Sequence, residues 1–223
     1  ERTIYSDDVV TITKDADGHT ISCPCEYSLT EEHSYVDHVC TVCEYVETVE
    51  GTYTLVTNVA DLKVGSTILI VAKEFDYTLG YQDSNNWKPA AVTKDGTNVA
   101  IGFDAQQITL EAGSVDGTFA FNVGTGYLYA ASSGSNHLKT QGTIDDNASW
   151  KITIAEDGTA SIVAQGNYTR NTMQYNQSSN LFSCYSSASQ KAIAIYKLQG
   201  ACEHEITYEK TELKHTGVCS ECG

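Results

Sequence analysis

One pattern of short apolar segments occurs three times in the middle of the chain. In each round apolar and polar residues alternate as in half-buried strands, and Ser, Gly, Asn and Asp form turns between the segments. The rounds recur at a spacing of about 45 residues. The predicted strands are 68–71, 77–80, 87–92 and 107–110, then 118–123, 127–130, 137–140 and 150–154, then 160–164, 171–175, 181–185 and 192–196.

Three rounds of four strands predict an all-β domain with a β-trefoil-like fold, in which three hairpins cap a closed barrel. Closure removes exposed strand edges without any helix. A two-sheet β-sandwich of twelve short strands is the alternative. The 17 glycines and two prolines of the chain suit short strands joined by tight turns. We expect Trp150 and Cys184 to be structural residues of the core.

The two ends of the chain share one cysteine motif. Seven of the eight cysteines lie outside the central repeat, and both ends follow the pattern C-x-[CH]-x14-C-x2-C. The motif is formed by Cys23, Cys25, Cys40 and Cys43 near the start, and by Cys202, His204, Cys219 and Cys222 near the end. An internal repeat of this kind predicts one small module used twice.

Zinc explains the residue types of this motif. A structural zinc ion takes four cysteine or histidine ligands in a tetrahedron, which two close pairs can supply. The sequence therefore predicts two structural zinc ions, and their binding would supply folding free energy to modules too short for a core. Disulfides are the alternative, but His204 replaces Cys25 in the second module, which keeps a metal ligand and removes a disulfide partner. His38 and His215 are alternative ligands, and His19 and His33 are expected in solvated turns.

These features divide the chain into three parts. Residues 1–50 form a β-hairpin, with strands at 9–13 and 19–22, followed by a zinc-ribbon-like module. Residues 51–199 form the β-trefoil-like domain with its three repeats. Residues 200–223 form a second zinc-ribbon-like module, which we expect to be truncated, in a chain excised from a longer protein.

Several classes of function do not fit the sequence. A net charge of −16 argues against nucleic acid as a partner, because binding to a duplex needs Lys and Arg. No apolar run approaches the roughly 20 residues that span a bilayer, so we expect no membrane insertion. His137 is the single histidine of the central domain, no motif of a nucleophilic or nucleotide-binding enzyme is present, and we expect the chain not to be an enzyme.

Carbohydrate binding requires fewer specialised residues than catalysis does. An aromatic ring covers the apolar face of a pyranose, while amides and carboxylates bind its hydroxyl groups. The predicted hairpin turns offer three such sets. They are Asp83, Asn85, Asn86 and Trp87 in the first round, Tyr129, Asn136 and His137 in the second, and Tyr175, Asn176 and Asn180 in the third. The alternative is that the aromatic residues pack the barrel ends and the polar residues form the turns.

Stretches of the second and third rounds resemble a domain that recurs in secreted and surface proteins of gut-type bacteria. The resemblance is carried by residues 126–133, 170–176 and 181–185, and the terminal modules resemble short Cys/His repeats in similar proteins. It implies an extracellular bacterial setting. The trefoil architecture is similar to that of ricin-type lectins, which bind sugars, although the Gln-x-Trp signature of that family is absent from all three rounds.

The sequence thus favours a non-catalytic carbohydrate-binding or adhesion segment of a bacterial secreted or cell-surface protein, with a glycan or a surface protein as its ligand. The alternative is a structural spacer or a protein–protein interaction segment of a larger surface protein.

Overall fold

The computed structural model describes residues 10–15, 17–24, 26–36, 38–45, 47, 51–199, 206–211 and 214–219, the last two ranges as backbone alone. The chain divides into two compact units. One comprises residues Glu1–Val49 with Ile101–Asp104, and the other comprises Glu50–Ala100 and Ala105–Gly223.

The N-terminal unit contains a small antiparallel sheet and a short two-stranded ladder. The sheet has the order β1 (Thr11–Lys14), β2 (His19–Ser22), β3 (Ser28–Glu31), and the ladder joins β4 (Tyr35–Val36) to β5 (Val39–Cys40). The predicted hairpin is confirmed by the pairing of β1 with β2. Its turn is closed by the Asp15 carboxylate, which accepts hydrogen bonds from the N–H groups of Asp17 and Gly18 at 2.9 and 3.1 Å.

The second unit is built from short antiparallel strands. They are β6 (Tyr53–Leu55), β7 (Thr67–Ala72), β8 (Tyr77–Asp83), β9 (Asn86–Asp95), β10 (Asn98–Ile101), β11 (Ile108–Ala112), β12 (Phe119–Asn122), β13 (Tyr127–Ala130), β14 (Leu138–Gln141), β15 (Ser149–Ile154), β16 (Thr159–Ala164), β17 (Thr172–Asn176), β18 (Leu181–Tyr185) and β19 (Ile193–Leu198). A further hairpin joins β20 (Ile206–Thr211) to β21 (Lys214–Cys219). The all-β prediction is confirmed.

Six strands of this unit close into a ring. β7 pairs with β11, β11 with β12, β12 with β15, β15 with β16, β16 with β19, and β19 returns to β7. These are the first and last strands of each predicted round. The middle strands form three hairpins, β8–β9, β13–β14 and β17–β18.

The strand prediction can be compared element by element. All twelve predicted strands of the central domain coincide with observed ones to within three residues at each end, whereas β3, β4, β5, β6, β10, β20 and β21 were not predicted. Strands β6 to β19 belong to one hydrogen-bonded sheet, which is not the arrangement of the two-sheet alternative. Among the described residues the helical segments are two short 3-10 turns, Val59–Asp61 and Asp146–Ala148, and neither has the length or the apolar character to cross a bilayer.

The interior of the ring is apolar and fully enclosed. Trp150 is buried, stacks on Phe121 with ring centroids 5.6 Å apart, and donates its indole N–H to the Leu128 carbonyl at 2.9 Å. The structural role expected for Trp150 is confirmed. Cys184 is also completely buried, and burial raises the pKa of its thiol, as expected of a core residue without redox chemistry.

A partly buried cation stabilises the turn after β7. The Lys94 ammonium donates hydrogen bonds to the carbonyl oxygens of Ala72, Lys73 and Phe75 at 3.1, 3.1 and 2.6 Å. Burial lowers the pKa of Lys94, and the Asp76 carboxylate at 3.6 Å acts in the opposite direction. The Lys94 side chain therefore stabilises this turn. Among the described residues, no other cation binds these three carbonyls.

We predict that Lys94→Met lowers the free energy of unfolding of the central unit by about 2 kcal/mol, because charge-assisted hydrogen bonds to three carbonyls are lost. Urea unfolding followed by tryptophan fluorescence measures the change. Lys88→Met is the matched control, since the Lys88 ammonium has one exposed ion pair, 3.7 Å from Asp83, and its loss should cost less than about 1 kcal/mol. Equal destabilisation by both substitutions would contradict the prediction.

Candidate functional site

Four metal-ligating side chains meet in the N-terminal unit. One ligand atom from each of His19, His33, Cys40 and Cys43 lies within 4.8 Å of all the others, and this cluster could hold a metal ion. His19 begins β2, Cys40 ends β5, and the other two lie in the connections next to these short strands. His33 is half-buried and the other three side chains are buried.

The contacts within the cluster join sulfur to nitrogen. The Cys40 Sγ lies 3.9 Å from His19 Nδ1, and the Cys43 Sγ lies 3.3 Å from His33 Nδ1. Both cysteines are free thiols. The sequence motif places these two thiols on one turn, and the sheet brings the two imidazoles to them from other parts of the unit.

A backbone carbonyl fixes the orientation of His33. The ring nitrogen Nε2 lies 2.8 Å from the Asp15 carbonyl oxygen, and since a carbonyl can only accept, Nε2 carries the proton. The hydrogen bond to Asp15 is the main cause of the raised pKa of His33. The ring is also stacked on Tyr45, with centroids 4.5 Å apart. Nδ1 is therefore left as a lone pair that faces the thiols.

The two thiols differ in acidity. Burial raises the pKa of the Cys40 thiol, but hydrogen bonds from the backbone of Cys43 and Val42 outweigh burial, and the pKa falls to about 5. Burial and the neighbouring Cys40 raise the pKa of Cys43. Cys40 is therefore the more acidic of the two thiols, and a thiolate is the form that binds a metal.

The cluster differs from the ligand set predicted for the first module. Cys40 and Cys43 belong to the cluster, whereas Cys23 is disulfide-bonded and so has no thiolate to offer. Cys25 lies outside the described residues. His38, the alternative ligand, is exposed and pairs through Nδ1 with the Glu47 carboxylate at 2.9 Å, away from the cluster. His19 is a buried strand residue instead of a turn residue.

Most of the second module cannot be compared with its prediction. Cys202, His204 and Cys222 lie outside the described residues, and Cys219 and His215 lie on β21, of which the backbone alone is described. The second zinc site therefore stays a prediction.

A second candidate site is a cleft at the hairpins of the central unit. Its volume is about 250 Å³, and it is lined by Asp83, Ser84, Asn85, Asn86, Lys88, Asn136, His137 and Leu181. These residues come from all three predicted rounds. Five of the ten predicted ligand-binding residues line this cleft, namely Asp83, Asn85, Asn86, Asn136 and His137.

Hydrogen bonds between the hairpins hold the cleft together. The Asn85 carbonyl accepts the N–H of Leu138 at 3.0 Å. The Asn86 amide nitrogen, in the orientation that satisfies its neighbours, donates to the Asn136 carbonyl at 3.0 Å and to Ser183 Oγ at 2.6 Å. Asn86 therefore links all three hairpins from one position.

Trp87 does not provide the expected aromatic face. Its side chain is 3% exposed and lies in the hydrophobic core, because it projects to the inner side of β9. Tyr175 is likewise buried, and its hydroxyl donates to the Asn180 Oδ1 at 2.7 Å. Asn176 donates to the Tyr185 hydroxyl at 2.9 Å, so the third predicted set holds its own hairpin together.

The residues of the second predicted set do not all lie at the cleft. Asn136 and His137 line the cleft, whereas Tyr129 is a half-buried residue of β13 that is not among the cleft residues. The Asn136 Oδ1 accepts a hydrogen bond from the Arg170 guanidinium at 2.6 Å, which fixes the amide at the edge of the cleft.

One exposed aromatic residue, two positions before Asp83 of the cleft, was not predicted from the sequence. A β-bulge between Leu79 and Gln82 interrupts the first hairpin. Bulges turn side chains away from the regular alternation of a strand. Within this bulge Tyr81 is 63% exposed, the largest exposure among the aromatic residues described. An apolar–polar pattern carries no signal for a bulge, so the sequence could not identify this position.

Comparisons with known proteins give distant structural likenesses. No protein-family model and no curated protein matches the sequence. The designed 3-fold symmetric protein ThreeFoil matches 58% of this chain and 96% of its own at 15% identity, with a TM-score of 0.43. A GH43 β-1,3-galactosidase matches 65% of this chain and 29% of its own at 15% identity and a TM-score of 0.46. The lysenin pore matches 82% and 64% at 12% identity and a TM-score of 0.41.

Proposed function

We propose that the chain is a non-catalytic carbohydrate-binding or adhesion segment of a secreted or cell-surface bacterial protein, and that its central unit is a β-trefoil. The six-stranded ring with three hairpins supports the trefoil assignment. The observation that carries the function is the polar cleft where side chains of the three rounds converge.

The lining of the cleft suits the hydroxyl groups of a sugar. The Asp83 carboxylate accepts hydrogen bonds, and the amides of Asn85 and Asn136 can accept and donate. Lys88, whose ammonium lies 3.7 Å from Asp83, adds a donor. A volume of about 250 Å³ lies below the usual range for drug-sized ligands, which favours one terminal sugar unit over an extended chain.

Tyr81 supplies the aromatic face that Trp87 cannot. Gln82 pairs with Trp87 across the hairpin, so these two share one face of the ladder. Tyr81 and Asp83, one residue to each side of Gln82, are both exposed, and two residues span about 7 Å along an extended strand. That spacing suits a pyranose ring that stacks on Tyr81 while its hydroxyl groups reach Asp83.

The same cleft supports a non-catalytic role. Among its lining residues the carboxylate is Asp83 and the imidazole is that of His137. Glycoside hydrolysis generally uses a pair of carboxylates on the two sides of the scissile bond. Binding therefore fits these residues better than bond cleavage does.

We also propose that the metal of the N-terminal unit is zinc in a structural role, and that the terminal motif of the second module holds another zinc ion. Sulfur and nitrogen donors in a compact cluster favour zinc over magnesium or calcium, which prefer oxygen.

We predict that Tyr81→Ala weakens glycan binding about tenfold, equivalent to about 1.4 kcal/mol, while the thermal transition of the central unit is unchanged. A glycan array identifies the ligand, and titration calorimetry measures the affinity. Tyr168→Ala is the control, because Tyr168 is a 38% exposed tyrosine between β16 and β17, outside the hairpin that carries Asp83. A wild-type chain that binds no glycan at millimolar concentration would contradict the function and favour the spacer alternative.

We predict that metal analysis of the purified chain returns close to two zinc atoms, and that a chelator unfolds the ends and spares the ring, because the ring has its own apolar core. Hydrogen exchange read by mass spectrometry should show lost protection in β2, β3 and β5 and full protection in β7 and β19. Chelation that leaves every peptide equally protected would contradict the structural role.

A further inference from the structure

We infer that the N-terminal unit binds zinc through two imidazoles and two thiolates, those of His19, His33, Cys40 and Cys43, and that Cys23, the first cysteine of the sequence motif, does not belong to the site. This inference rests on the zinc proposal above and assigns its ligands. It implies that the module shares a spacing pattern with four-cysteine zinc ribbons but has a different metal centre.

The distances between the donors match a tetrahedral zinc site. Zinc lies about 2.3 Å from sulfur and about 2.0 Å from nitrogen, so the sulfur–nitrogen edge of a tetrahedron is about 3.5 Å. The two sulfur–nitrogen contacts of the cluster, at 3.3 and 3.9 Å, lie on either side of this value. All four donor atoms lie within 4.8 Å of one another, so they are gathered closely enough to surround one ion.

His19 is buried with weak contacts at both ring nitrogens. Its side chain is 1% exposed, its Nε2 has no hydrogen-bond partner, and its Nδ1 lies 3.9 Å from the Cys40 Sγ. A buried polar group without a partner is costly. A zinc ion in the cluster would give one ring nitrogen a ligand bond in place of a missing hydrogen bond. The Glu31 carboxylate oxygen lies 3.9 Å from Nε2, beyond hydrogen-bond distance.

His33 has a hydrogen bond on the side of its ring away from the thiols. The Asp15 carbonyl holds the proton on Nε2 at 2.8 Å, and Nδ1 faces Cys43. A hydrogen bond that fixes the tautomer and the ring orientation is typical of metal-ligating histidines. Both imidazoles present Nδ1 to a thiol, and His33 has the orientation expected of a metal ligand.

The charge of the site also favours this ligand set. Two thiolates neutralise one zinc ion, whereas four thiolates would leave a charge of −2 in a chain whose net charge is already −16. A neutral centre is less costly to bury than a charged one. Cys23, moreover, is already disulfide-bonded.

X-ray absorption at the zinc edge tests the assignment on the full chain. Cys219→Ser with Cys222→Ser removes the predicted C-terminal site, so one zinc ion should remain. We expect a shell of two sulfur atoms at about 2.3 Å and two nitrogen atoms at about 2.0 Å. A shell of four sulfur atoms would overturn the ligand assignment and leave the zinc proposal standing, whereas absence of bound zinc would overturn both. Neither result bears on glycan binding.

Substitutions give a second test. His19→Ala and His33→Ala should each lower zinc affinity more than about a hundredfold, since even the partners behind metal ligands contribute ten- to hundredfold. His38→Ala is the matched control and should leave the affinity unchanged, because His38 pairs with Glu47 outside the cluster. His33→Cys should retain zinc and add a third sulfur atom to the shell, which distinguishes a ligand from a residue needed for folding alone. Unchanged zinc affinity in both alanine variants would overturn the inference.

Discussion

The pairing of β19 with β7 is the interaction on which the central unit depends. It joins the last strand of the third round to the first strand of the first, in a register that runs from Ile193 opposite Ala72 to Lys197 opposite Ile68. Without it the six strands would form an open sheet with two exposed edges. Closure also gathers the three hairpins, and it is this gathering that lets Asn86 reach both Asn136 and Ser183. The cleft is therefore a product of closure, since no single round contains it.

The strands of this unit could be predicted because their signal is local. Alternation of apolar and polar residues with turn residues between them determines a strand, and three rounds repeat the pattern. The strands that were missed lack this signal. β6, for example, has three residues and lies on β19 and β10 outside the ring. Its position follows from long-range pairing, which no short window of sequence reveals.

Some residues of the cleft were predicted from the sequence and others were not, and this difference has a physical cause. Asparagine and aspartate residues in hairpin turns could be recognised because turns favour them. Which aromatic residue faces solvent depends on the bulge, because one extra residue on a strand exchanges the inner and outer faces beyond it. In the first hairpin the bulge leaves Trp87 in the core and Tyr81 outside. Residue type alone favoured Trp87 as the aromatic residue that faces the ligand, whereas the backbone geometry exposes Tyr81 instead.

In the N-terminal unit the histidines of the metal-ligating cluster were harder to predict from the sequence than the cysteine motif was. Cys40 and Cys43 are near each other in any fold, but His19 reaches them because β2 pairs with β3, where it lies opposite Glu31.

The same unit has little apolar core among its described residues. Val10, Ile12, Val36 and Val42 are each more than two-fifths exposed, whereas Cys23, Cys40, Cys43 and His19 are buried. In a small domain the free energy that a core does not supply must come from covalent or metal cross-links. The disulfide at Cys23 is one such link, and the metal proposed for the cluster would be a second.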